Sequence, residues 1–108
     1  MSKGYNLGIS FRLDDTRFSG DYEQRYGKLK ETAVSFAIAD PWMDATSTIF
    51  LRTERDPTEV AKTLASCLHR SHDVLLVHIL GEGVVLLFGD TADETSLRFA
   101  SGLEVQRV

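Results

Sequence analysis

The stretch DPTEVAKTLASCLHRSHDVLLVHIL, residues 56–80, decides the fold because it joins a well-marked helix to a continuous apolar run. Asp56 suits the capping position of a helix, Pro57 suits its first turn, where no N–H donor is needed, and Glu59 completes a capping box. Apolar side chains then recur at helical spacing: Val60, Leu64, Cys67 and Leu68. The sequence therefore predicts a helix that runs to about His69.

The apolar run from Asp73 to Leu80 is too short for another helix and is typical of a central strand that is buried on both faces. Gly81-Glu82-Gly83 interrupts it, and a second apolar run follows at Val84 to Phe88. Two short apolar runs separated by glycines predict a β-hairpin.

The first half of the chain predicts four further elements. Leu7–Leu13 alternates apolar and polar residues, which indicates a half-buried strand, and a helix follows over about Asp21–Thr32. Val34–Ala39 is expected to be a second strand that ends at Asp40-Pro41, because proline donates no hydrogen bond to a sheet. Thr46–Thr53, rich in β-branched residues, is expected to be a third.

The order β-α-β-β-α-β plus a hairpin predicts an α+β, ferredoxin-like sandwich. In this fold an antiparallel sheet carries two helices on one face, and the hairpin extends it toward the C-terminus. We expect one domain over residues 1–108, with its core at about 5–89. The tail, 90–108, predicts one weak helical turn and a short strand at Leu103 to Val105.

The predicted sheet leaves its second face without helices. Phe50 and the outward-facing residues of the Val74–Leu80 run make that face too apolar to be bare. This predicts a homodimer, formed either through the face or by a sheet that extends across two chains.

Composition narrows the classes of function. The chain of 108 residues has a formal net charge of −4, which does not favour a polyanion as partner, although a nucleic acid is not excluded. A local basic patch depends on whether arginines converge in three dimensions: Arg12, Arg17, Arg25, Arg52 and Arg55. One cysteine, Cys67, and no apolar run of membrane-spanning length predict a cytoplasmic protein with no membrane association.

Three blocks carry a family resemblance: Ser47–Thr53, the capped helix from Asp56 to Leu68, and Ser71–Val77. In this order they resemble the SinR-like small proteins, which are similar to the small dimeric CRISPR adaptation nuclease and to the VapD toxins. The resemblance covers about residues 5 to 80. It implies a ferredoxin-like fold and a homodimer.

The nuclease relatives carry an aspartate at the end of the first strand, where two subunits together hold a divalent metal. Here Arg12 stands at the matching position and cannot ligate a metal. Asp14 and Asp15 lie just beyond it and are the candidate catalytic and metal-binding residues, with Mg or Mn as the only cofactor implied. The more common role of two aspartates at a strand end is a solvated turn.

Other candidates have structural alternatives. His69, His72 and His78 lack the spacing and companions of a zinc site, and a helix C-terminus explains the first two. Cys67 is expected to be a buried and unreactive thiol. The candidate binding residues are three arginines and one exposed aromatic residue: Arg12, Arg17, Trp42 and Arg52. For Trp42 the alternative is a place at the edge of the core.

The expected function is therefore that of a small dimeric, non-catalytic interaction or regulatory protein without a cofactor. Two alternatives remain open. One is a metal-dependent endoribonuclease or deoxyribonuclease that uses Asp14 or Asp15 from each subunit. The other is a phage or mobile-element regulator that binds a protein partner.

Overall fold

The computed structural model describes residues 4–14 and 21–108, so Asp15 and Arg17, named above as candidates, lie outside the described residues. Those residues form three helices and five strands: β1 (Tyr5–Arg12), α1 (Tyr22–Phe36), β2 (Thr48–Thr53), α2 (Pro57–Ala65), β3 (Val74–Ile79), β4 (Val84–Phe88), α3 (Glu94–Ser101) and β5 (Glu104–Arg107). The strands make one open sheet in the order β2-β1-β3-β4-β5. This is an α+β fold.

The sheet is mixed. β1 pairs antiparallel with both β2 and β3, and β3 pairs antiparallel with β4. β5 runs parallel to β4. The expectation of a purely antiparallel sheet was therefore wrong at this edge, because α3 carries the chain across the sheet before β5 begins.

One face of the sheet is covered by α1 and α2. Leu29 of α1 and Val60 and Leu64 of α2 are fully buried in the same cluster as alternate residues of the strands, such as Ile9 and Val77. The prediction that the stretches near residues 7–13, 46–53 and 74–80 lie side by side under two helices is confirmed.

The other face is covered only in part. α3 packs over the β3–β5 side, where Leu97 and Val74 adjoin a small cluster of Val85, Leu87 and Val105. α3 has only 8 residues. In the described chain, no helix covers the β2–β1 side of this face.

The strand expected over Val34–Ala39 was wrong. α1 continues through Phe36, because Leu29, Ala33 and Phe36 recur at helical spacing and are all buried. The following segment nevertheless lies along β2: the Ile38 N–H donates to the Arg52 carbonyl at 2.9 Å. Residues 34–39 therefore divide between a helix end and an edge segment.

The capped helix and the hairpin are confirmed, with one change of length. The Asp56 carboxylate accepts a hydrogen bond from the Glu59 N–H at 3.1 Å, and β3 and β4 pair across a turn in which Gly81 and Gly83 have positive φ. α2 ends at Ala65 rather than near His69. Within residues 4–14 and 21–108, no helix has the length and apolar character needed to cross a membrane.

Candidate functional site: the open face of the sheet

The uncovered half of the second sheet face is called here the open face. Successive side chains of a strand point to opposite faces, so the residues that alternate with the buried ones in β1, β2 and the end of β3 share this surface. They are Asn6, Gly8, Ser10, Arg12, Thr48, Phe50, Arg52, His78 and Leu80. Trp42 joins them from the segment beside β2.

Two aromatic rings lie on the open face at its β2 edge. Trp42 is 47% exposed and Phe50 is 42% exposed, and their ring centroids lie 5.9 Å apart at an interplanar angle of 60°. The expectation that Trp42 only closes the edge of the core does not fit its exposure. A half-exposed tryptophan against a half-exposed phenylalanine is an apolar patch in contact with water.

Backbone contacts hold this aromatic pair in place. The Trp42 N–H donates to the Phe50 carbonyl at 2.8 Å, and the Phe50 N–H donates to the Trp42 carbonyl at 3.0 Å. Gly8, directly opposite Phe50 on β1, leaves room for the ring, because a Cβ there would stand 3.0 Å from Phe50 Cε1. The ring therefore lies across the backbone of β1.

Two of the predicted binding arginines lie on the same sheet face as the aromatic pair, Arg52 close to Phe50 on β2 and Arg12 at the far end of β1. A guanidinium nitrogen of Arg52 donates to Asn6 Oδ1 at 3.2 Å, and one of Arg12 donates to Thr91 Oγ1 at 3.4 Å. Both partners are neutral. Of the candidate binding residues, the structure thus brings Arg12, Trp42 and Arg52 to one surface, while Arg17 lies outside the described residues.

The outward strand positions of the open face carry no carboxylate. Arg12, Arg52 and His78 are the basic residues at these positions in β1, β2 and β3, and the others are uncharged. The chain as a whole has a formal net charge of −4. The open face therefore differs in charge from the average surface of the molecule.

A second polar cluster lies at the end of β1, where the aspartates were expected. Its centre is a buried ion pair: Arg25 is 3% exposed, Asp73 is 0% exposed, and Arg25 Nη1 donates to both Asp73 oxygens at 2.7 Å. The other nitrogens of Arg25 reach Asp21 Oδ1 at 2.9 Å and the Asp14 carbonyl at 2.7 Å.

Asp73 also satisfies two backbone donors. Its oxygens accept hydrogen bonds from the Asp14 N–H at 2.9 Å and from the His69 N–H at 2.8 Å. The pair therefore ties β1, α1 and the α2–β3 connection together. Sequence analysis missed this role of Arg25, and the available signal was a charged residue at a core-facing position of an amphipathic helix.

Asp14, the described candidate for metal binding, takes part in this cluster. Its main chain is bound by Arg25 and Asp73, and its carboxylate lies 3.7 Å from His72 Nδ1. Within the described residues, no group of three or more His, Cys, Asp or Glu side chains is arranged to hold a metal ion.

The remaining candidates lie in two parts of the chain, the α2–β3 connection and β3. His69 and His72 lie in the connection after α2, with ring centroids 6.2 Å apart, and His78 lies on β3. His69 Nε2 is 3.2 Å from Asp21 Oδ1. Hydrogen bonding from Arg25, with a smaller contribution from His69, lowers the pKa of Asp21 despite its partial desolvation.

Cys67 is half-buried rather than fully buried, and its sulfur lies 3.7 Å from Thr32 Oγ1.

Comparison of the chain with protein-family models, with curated proteins and with solved structures found no match. The resemblance to the SinR-like small proteins therefore stays a prediction.

The buried ion pair makes a prediction about stability. Asp73→Ala leaves the Arg25 guanidinium buried without its main counter-charge, and we expect it to lower the free energy of unfolding by about 3–5 kcal/mol. Arg55→Ala removes an exposed ion pair with Glu59 and should cost at most about 1 kcal/mol. Urea denaturation of both variants measures the difference. Equal and small losses would show that the pair does not hold these elements together.

Proposed function

We propose that this protein is a small, non-catalytic interaction protein that works through the open face. The finer fold assignment, a ferredoxin-like sandwich with two helices on one face of its sheet, and kinship with the SinR-like small proteins are part of the proposal. The observation that carries it is the half-exposed, backbone-held pair of Trp42 and Phe50 on an uncovered sheet.

Binding through the open face loses little side-chain freedom. Binding orders the side chains at an interface, and each mobile side chain that is ordered costs free energy. Trp42 and Phe50 have few side-chain torsions and are already held by the paired backbone, so little freedom is left to lose. Aromatic residues of this kind are typical anchors of binding surfaces.

The charged groups at the end of β1 support the same proposal. Arg25 and Asp73 are buried and bound to each other and to main-chain groups, which is the arrangement of a structural ion pair. These two charges therefore stabilise the fold. The exposed arginines of the open face, by contrast, donate to the neutral side chains of Asn6 and Thr91.

A homodimer also belongs to the proposal, and charge favours one of the two arrangements that the sequence left open. Two open faces packed on each other about a two-fold axis would bring Arg12 and Arg52 of both copies onto one apolar surface, and like charges there are unfavourable. β5 is the last strand of the sheet and pairs on one side only, with β4. Pairing of two copies along β5 extends the sheet and leaves both open faces accessible.

Substitution of Phe50 tests the interaction function. We expect Phe50→Ser to stay folded but to weaken capture of a binding partner about 30-fold or more, since an aromatic anchor contributes about 2 kcal/mol or more. Phe99→Ser is the matched control, because Phe99 is 92% exposed on α3, away from the open face. The measurement is quantitative cross-linking in an extract of the native host. Equal partner yields for the two variants would contradict the proposal.

Light scattering with hydrogen exchange tests the dimer. The expected mass is twice the 12.1 kDa of the chain. Backbone groups alternate along a strand, and the Glu104 and Val108 N–H groups point to β4, so those of Val105 and Arg107 point outward. In the dimer these two amides should exchange slowly, and dilution should speed their exchange. A dimer in which they exchange as freely as solvent-exposed amides would exclude the β5 arrangement.

A further inference from the structure

We propose that the open face binds a single-stranded nucleic acid, with bases stacked on Trp42 and Phe50 and phosphates bound by Arg12 and Arg52. This inference names the class of partner for the interaction function proposed above and rests on it.

Charge is the first argument. Arg12 and Arg52 are the fully charged residues at the outward positions of β1, β2 and β3, and no aspartate or glutamate shares those positions. The guanidinium group is planar and binds phosphate oxygens with two parallel hydrogen bonds. A surface that is both apolar and positively charged is complementary to a polyanion that presents flat bases.

The aromatic pair is the second argument. Bases of a single strand are unstacked easily and stack again on exposed aromatic rings, largely without regard to sequence. Trp42 and Phe50 offer two such rings, and the angle of 60° between them allows different bases to contact each ring. A duplex keeps its base faces covered, so it gains nothing from these rings.

The strand register places the two arginines and the aromatic pair along β1 within reach of one short strand of nucleic acid. Arg52 pairs with Asn6, Phe50 pairs with Gly8, and Arg12 lies four residues beyond Gly8 at the end of the strand. With a rise of about 3.4 Å per residue, the two arginine positions are roughly 20 Å apart, with the rings toward the Arg52 end. That distance spans several nucleotides, so one short strand reaches both cations and both rings.

The overall charge sets the strength and the salt dependence of this binding. With a formal net charge of −4 and with Asp40 and Asp44 two residues on either side of Trp42, the molecule does not attract nucleic acid from a distance. Binding depends on contacts made on the open face. For two phosphate contacts, the logarithm of the binding constant should fall with the logarithm of salt concentration with a slope of about −1.4.

The fluorescence of Trp42 reports binding directly, because it is the single tryptophan of the chain. We use a uridine 12-mer RNA in EDTA, where metal-dependent cleavage cannot occur. The expected result is quenching of Trp42 with a loss of affinity of about sevenfold between 50 and 200 mM salt. Phe50→Ala should weaken binding about 5- to 100-fold and leave the salt slope unchanged.

The arginines are tested by a double variant with a matched control. Arg12→Gln/Arg52→Gln should abolish most of the salt dependence, whereas Arg98→Gln, which removes an exposed arginine of α3, should bind as the unmodified protein does. Absence of quenching at 50 mM salt, or quenching that the double variant retains with its salt slope, would overturn the nucleic-acid inference.

Failure of this inference is distinguishable from failure of the proposed function. If the RNA does not quench Trp42 but Phe50→Ser still loses a cross-linked protein that Phe99→Ser retains, the open face binds a protein and only the nucleic-acid inference falls. If the open face instead joins two copies, the unmodified protein is a dimer by light scattering and Phe50→Ser is a monomer. That result also overturns the inference.

Discussion

Unequal coverage of the two sheet faces is the constraint on which the rest of this structure depends. α1 and α2 cover one face, and the fully buried Leu7, Ile9 and Val77 lie beneath them. α3 is one short helix and covers only the β3–β5 side of the other face. The apolar surface that remains is concentrated at Phe50, with Trp42 beside it and Gly8 beneath it, so the same packing that forms the core also defines a small exposed platform.

The buried pair of Arg25 and Asp73 explains why the conspicuous charges at the end of β1 are a poor guide to function. Breaking a buried ion pair costs several kcal/mol, and here the pair also binds the main chain of Asp14 and His69. Gly89 packs against the main chain of Asp73, since a Cβ there would overlap the Asp73 carbonyl oxygen. These groups hold β1, α1 and the α2–β3 connection together, whereas Trp42 and Phe50 on the open face are half exposed and available to a partner.

Local patterns in the sequence predicted local structure well. The Asp56 cap, the hairpin after Ile79 and the alternation in β1 follow from interactions between near neighbours. The helical extension of α1 to Phe36 was missed because the pattern of a short apolar stretch fits both a strand and the end of an amphipathic helix. Parallel pairing of β5, the contact between Arg25 and Asp73, 48 residues apart, and the placement of Arg12 and Arg52 on one sheet face depend on topology and register, which composition and periodicity do not contain.

Collisional quenching of Trp42 tests the central claim most directly, namely that an aromatic platform is exposed within a positively charged patch of an acidic protein. The account predicts that acrylamide quenches Trp42 and that iodide quenches it more efficiently than caesium, because Arg52, two residues from Phe50 along β2, attracts the anion. The formal net charge of −4 alone would favour caesium. A tryptophan that acrylamide cannot reach, or one that caesium quenches better than iodide, would contradict the account.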